Sequence, residues 1–133
     1  MKLRLLLVGD GKVLFEIPLS MKDWPKDRLE DELTSFEEDF DKFSRLFDAL
    51  SHETRLRMMK RLFEEEDRKI GFGDFMKDLD LNPKIVWEST KKLQDSGLLV
   101  KSEDGKYRCS EVGEAQFLML SLALRRLLQT IRE

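Results

Sequence analysis

The residues with the clearest chemical potential lie in Asn82 to Val100, NPKIVWESTKKLQDSGLLV, where Lys84, Lys91 and Lys92 surround Trp87 and Glu88. Ammonium groups at helical spacing neutralise phosphates, and polar or aromatic side chains between them meet base edges. The chemistry on offer is nucleic-acid binding, with Lys91 and Lys92 expected on phosphates and Lys84, Trp87 and Glu88 expected on bases. Lys101, Lys106 and Arg108 follow closely, so Asn82 to Arg108 holds 6 bases against 4 acids. Glu88 has two readings: it accepts a hydrogen bond from a cytosine amino group, or it pairs with Lys84 or Lys92 at i,i+4, which is the commoner fate. Trp87 is either core or surface, and exposure is the expectation.

Catalysis has little to work with. One His52 and one Cys109 cannot supply a Ser/His/Asp or Cys/His constellation, and no spacing singles out a carboxylate pair, so no enzymatic role is expected. The same two residues exclude an internal disulfide and a Cys/His zinc site within the chain, and neither metal nor cofactor is expected. A thiol beside Arg108 could be activated as a redox switch, but a small structural strand residue is the expected role of Cys109. His52 is expected to belong to a helix-start turn.

The formal net charge of −3 does not oppose a nucleic-acid footprint, because the acid lies elsewhere: Asp23 to Asp41 carries 9 acids and 2 bases. With 133 residues, 41% apolar and 38% charged, the chain has the size and composition of one ordered globular domain with an appendage. Its charge richness and single Asn82 resemble a thermophile's composition. The apolar run Leu5 to Val8 is too short for a signal peptide and no stretch spans a membrane, so a cytoplasmic protein without a membrane partner is expected.

The elements that must position these residues follow from pattern. Residues 1–20 read as a β-hairpin turning at Gly9-Asp10-Gly11-Lys12; the glycines lack the GxxxxGK[ST] spacing of a phosphate loop. Residues 21–133 read as the main domain. Its first helix, about residues 25–50 with Pro25 in the first turn, carries Leu29, Leu33, Phe36, Phe40, Phe43, Phe47 and Leu50 at alternating steps of 4 and 3. Capping-type residues from Ser51 to Thr54 then open a helix with Leu56, Met59, Leu62 and Phe63 inward, and a brief helix follows over Asp74 to Leu79. Asn82 as N-cap, Pro83 in the first turn and Gly97 as stop delimit the helix that carries the lysines, completing a helix-turn-helix. Leu98–Ser102 and Lys106–Cys109 flank Asp104-Gly105 as a hairpin, so the unit reads as a winged helix. Ser110 caps a final helix, about residues 111–132, with Phe117, Leu120, Leu124, Leu127 and Ile131 in a second heptad stripe beside Leu118, Leu122 and Leu128.

Leu46 to Phe63, LFDALSHETRLRMMKRLF, and Leu93 to Lys101, LQDSGLLVK, with the charged Asp-Gly hairpin after them, resemble the ArsR-like winged helix-turn-helix regulators of bacteria and archaea. The likeness covers roughly residues 43–120, with the family's AL-S-x-x-T-R-L block at Ala49 to Leu56 and its L-x-x-x-G-L-V block at Leu93 to Val100. It implies a homodimer built from the first and last helices, where the two stripes fall, with two recognition helices one DNA turn apart. It implies a mainly α fold with a small β wing. The metal-sensing Cys-x-Cys of some relatives is absent from Gly71 to Met76, and the relatives' Ser-Arg-His-Leu is replaced by Trp87-Glu88-Ser89-Thr90. The expected partners are double-stranded DNA and a second copy. Two alternatives remain: an interaction module recruiting transcription machinery, and a small-ligand sensor at the dimer interface among Phe36, Phe40, Phe43 and the final helix.

Overall fold

The computed structural model describes residues 1–132 and is mostly helical, with one small antiparallel two-stranded sheet near the N-terminus and another near the C-terminus. No helix among the described residues is long and apolar enough to cross a membrane. The chain divides into two compact units, Met1–Phe40 and the part from Asp41 onward, so the boundary falls 20 residues beyond the hairpin limit expected at residue 20.

In the first unit, β1 (Arg4–Gly9) and β2 (Lys12–Pro18) form an antiparallel hairpin. Asp10 and Gly11 turn it with left-handed φ of 50° and 79°, the mirror-image turn that matches strand twist and that an Asp-Gly pair adopts cheaply. The pairs Leu5↔Ile17 and Leu7↔Phe15 put four apolar side chains on one face, while Arg4 Nη1 meets Glu16 Oε1 at 2.6 Å on the other. Trp24 Nε1 donates to the Pro18 carbonyl at 2.8 Å. Pro25 stands at the N-cap of α1 (Lys26–Glu38), one place earlier than the sequence suggested, because a short 3-10 turn over Met21–Asp23 occupies the expected cap positions. No residue of this unit is fully buried.

The helix expected over residues 25–50 is two helices. Asp39 leaves helical geometry at φ −105°, its N–H donates to Phe36 O at 2.9 Å, and α2 (Phe40–Ala49) starts afresh. The heptad steps run through this break unchanged, and so concealed it.

The second unit is built on α3 (Glu53–Glu64), α4 (Phe72–Leu79) and α5 (Pro83–Asp95). Thr54 N–H donates to His52 Nδ1 at 3.1 Å, which makes His52 the N-cap of α3. Arg55 closes the preceding helix: Nε donates to Ala49 O at 2.8 Å and Nη2 to Asp48 O at 3.0 Å. Met58, Met59 and Leu62 face the core, whereas Leu56, expected inside, is 40% exposed beside an apolar groove. The helix turns to bury the longer Met58, whose unbranched side chain fills core space. Gly71 N-caps α4, which therefore starts two residues before the expected Asp74, and Asp80 closes it at φ 52°. β3 (Leu99–Lys101) and β4 (Tyr107–Cys109) pair through Lys101↔Tyr107 and Leu99↔Cys109, and Ile70 exchanges both backbone hydrogen bonds with Tyr107 on the outer edge of β4, at 3.0 and 2.8 Å. Phe75, Val86, Leu93, Leu98 and Leu99 complete the buried core.

Ser110 Oγ accepts from Gly113 N–H at 2.8 Å and caps α6 (Glu111–Leu118), as expected from its type. The final helix is regular only to that point. A π-helical segment, Met119–Ala123, precedes α7 (Leu124–Arg132), and its wider turn rotates everything after it relative to everything before. Phe117 consequently packs inside the unit, its ring stacked on Phe63 at 5.4 Å, while Leu124 and Ile131 of the same stripe are exposed. Leu120 also packs against the core, so the expected interface stripe loses its first two members to the fold.

Candidate nucleic-acid interface

Asn82 starts α5 by accepting a hydrogen bond from Ile85 N–H at Oδ1, 2.9 Å, with Pro83 in the first turn where its missing N–H costs nothing. Val86, Ser89, Thr90 and Leu93 are buried, and the Thr90 hydroxyl is satisfied by Val86 O at 2.8 Å. This inner face fixes what points outward: Lys84, Trp87, Glu88 and Lys91 at i, i+3, i+4 and i+7 form one exposed stripe. Trp87 is 57% exposed, and Lys91 Nζ stands 5.0 Å from its ring centroid, a cation–π pair one helical turn apart.

Two expectations about this helix change. Glu88 makes no ion pair among the described residues, so the i,i+4 pairing with Lys84 or Lys92 is not formed. Lys92 turns instead to Asp48 of α2, Nζ to Oδ2 3.0 Å, in a shallow crevice with Arg45 and Asp95. A carboxylate on a neighbouring helix thus competes for the ammonium expected on a phosphate, leaving Lys84 and Lys91 as the cations of the stripe without an ion pair among the described residues.

The hairpin residues also separate into two groups. Lys101 is exposed with Nζ 5.7 Å from the Tyr107 ring, and Lys106 is exposed in the turn next to Asp104, whose Oδ1 accepts the Lys106 backbone N–H at 3.0 Å. That hydrogen bond, with a further one from Lys69 Nζ, holds the Asp104 carboxyl below its ordinary range. Arg108 lies on the other side of β4 from Tyr107, folded onto Cys109 O at 3.3 Å and lining a small cavity with Phe63, Arg68 and Glu114. It is not aligned with Lys101.

No family model and no curated protein matches the chain.

Cys109 resolves against activation. Burial first, and Glu114 second, push its thiol up to about 11 from an ordinary 9.0, the reverse of what Arg108 alone would do. The folded chain holds this proton while the unfolded chain releases it above pH 9.0, so the contribution to stability is complete below pH 9.0 and is lost as pH rises towards about 11. Urea unfolding at pH 8 and pH 10 should show a larger loss for the natural chain than for Cys109→Ala; equal losses would contradict it. Among the described residues no group of three His, Cys, Asp or Glu side chains could hold a metal ion.

Sequence reading missed Gly113. A Cβ there would lie 2.5 Å from Leu98 O, so α6 is placed against the start of β3 by the absence of a side chain. A glycine in the first turn of a capped helix was the available signal.

Proposed function

We propose that this chain is a DNA-binding transcription regulator of the winged-helix type that acts as a homodimer, with α5 in the major groove and β3–β4 as the wing. The observation that carries the reading is the outward stripe of α5, where Lys84, Trp87 and Lys91 are exposed on a helix whose opposite face is locked into the core. Lys91, Lys101 and Lys106 are the phosphate contacts; with Lys92 held by Asp48, Lys84 joins them in place of the base-reading role expected from sequence, and Trp87 and Glu88 meet base edges. Four contacts per subunit neutralise eight phosphates in a dimer, for which log affinity falls with log salt at a slope of about −7. Mobility shift on genomic fragments across a salt series measures this, and absence of binding at low salt would refute direct DNA recognition.

The homodimer rests on apolar side chains that reach the surface. Leu33, Phe36 and Phe40 in the first unit, and Leu124, Leu128 and Ile131 on α7, are exposed. A groove of about 420 Å3 lined by Phe47, Leu50, Leu56 and Leu124 adjoins α7. On each unit by itself, clustered exposed apolar side chains of this kind mark an interaction surface. Of the ten interface residues expected from sequence, Leu29, Leu33, Phe36, Phe40, Leu124, Leu127 and Ile131 are kept for the partner. Phe43, Phe117 and Leu120 act from within the subunit. Leu124→Asp with Leu127→Asp should give a monomer by light scattering, and an unchanged mass would remove α7 from the interface.

A second reading, a winged-helix module that binds protein, is favoured by one observation. With Lys92 held by Asp48, the α5 face carries, among the described residues, two cations without an ion pair beside Glu88. The same mobility-shift series decides between them.

A further inference from the structure

We infer that Trp87 reads thymine, through apolar contact between its indole and the C5 methyl group, and so sets the sequence preference of α5; this deepens the DNA-binding reading and rests on it. Trp87 sits mid-stripe, three residues after Lys84 and four before Lys91, the two cations that would flank it along a phosphate backbone. More than half of the side chain is exposed, although a large indole is among the costliest groups to leave in water. Nothing in the packing of α5 requires it, because the buried face is supplied by Val86, Thr90 and Leu93.

The ring is also held in place. The Lys91 ammonium lies 5.0 Å from its centroid, which occupies one face electrostatically and leaves the rest of the indole free. In the major groove the edges of all four base pairs present donors and acceptors, and thymine alone adds an apolar group. A prepositioned apolar plate between two phosphate-binding cations is complementary to that methyl group and indifferent to a cytosine in its place. Glu88, next in the chain and without an ion pair among the described residues, offers an acceptor to a neighbouring cytosine amino group. Trp87 thus supplies the half of the code that hydrogen bonding cannot.

The test uses the full chain and duplexes enriched from a random-sequence pool. Each thymine is then replaced in turn by deoxyuridine, which removes the methyl group and leaves base pairing intact. The natural chain should lose about fivefold in affinity at one thymine per half-site, an effect of the size expected for a single apolar base contact. Trp87→Ala, folded by circular dichroism, should bind more weakly and be indifferent to the same replacement, while Trp87→Phe should keep the sensitivity. Indifference of the natural chain to every replacement would overturn the inference while leaving DNA binding intact. So would an equal loss in Trp87→Ala. If Trp87→Phe binds as tightly as the natural chain yet is indifferent to the replacement, apolar contact by an aromatic ring does not carry the effect, which also overturns it. Failure to enrich any duplex overturns this inference together with the DNA-binding reading.

Discussion

Gly113→Ala is expected to destabilise the fold by about 3 kcal/mol, against the usual direction of a glycine-to-alanine change in a helix. Alanine's propensity advantage is worth about 1 kcal/mol in a helix interior. Here the new methyl carbon would stand 2.5 Å from Leu98 O, 2.8 Å from Ser110 Oγ and 2.9 Å from Leu98 Cα. A side chain could swing away, but two of these three neighbours are backbone at the entry to β3. Moving them pulls on the Ser110 N–H to Leu98 O bond at 3.3 Å and on Ser110 Oγ, which donates to Gly97 O at 2.9 Å while accepting from Gly113. Overpacking of ordinary cores costs about 1 to 3 kcal/mol, and an unyielding backbone puts this site at or beyond the top of that range. Gly73 is the internal control: nothing lies within 4 Å of its added Cβ, its φ is not left-handed, and Gly73→Ala should gain roughly 0.5 kcal/mol. Urea denaturation of both variants checks the pair, and a neutral Gly113→Ala would mean that α6 is free to slide on β3.

What sequence revealed and what it concealed divide by the range of the interaction. Asn82 and Ser110 were legible as caps because each acts on N–H groups three residues away, and Asp10-Gly11 and Gly105 were legible as turns because left-handed φ is a local demand. The break at Asp39 and the π segment at Met119–Ala123 were not. A pattern of 3 and 4 steps is what a straight helix, a broken helix and a helix with one wide turn all display, so the two stripes read as longer and straighter than they are. Phe117 was assigned outward by that regularity and packs inward on Phe63, 54 positions earlier, for a reason only tertiary packing contains. The stripe of α5 was legible in membership but not in commitment. Lys92 has the spacing of a phosphate ligand, yet Asp48, 44 residues away, faces it in space.

That distinction among the lysines sets the largest expected effect on binding. Under the proposed function, Lys84→Gln with Lys91→Gln removes four phosphate contacts from a dimer, each worth about 1 kcal/mol at 0.15 M salt from counterion release, so affinity should fall by about a thousandfold. The salt slope should halve, from about −7 to about −3.6, which separates lost charge contacts from a damaged fold. Lys91→Gln also frees the Trp87 ring from the ammonium 5.0 Å away, so the double change should exceed twice the effect of Lys84→Gln alone. Lys92→Gln should do less than either single change, because its ammonium already has a carboxylate partner at 3.0 Å. Asp48→Asn inverts the logic: it leaves the helix and its packing in place, releases Lys92 towards solvent, and should strengthen binding while steepening the salt slope by about 2 in a dimer. Fluorescence anisotropy across a salt series reads every one of these. If Lys84→Gln with Lys91→Gln leaves the slope unchanged, α5 does not lie along a phosphate backbone, and the outward stripe must serve a protein partner.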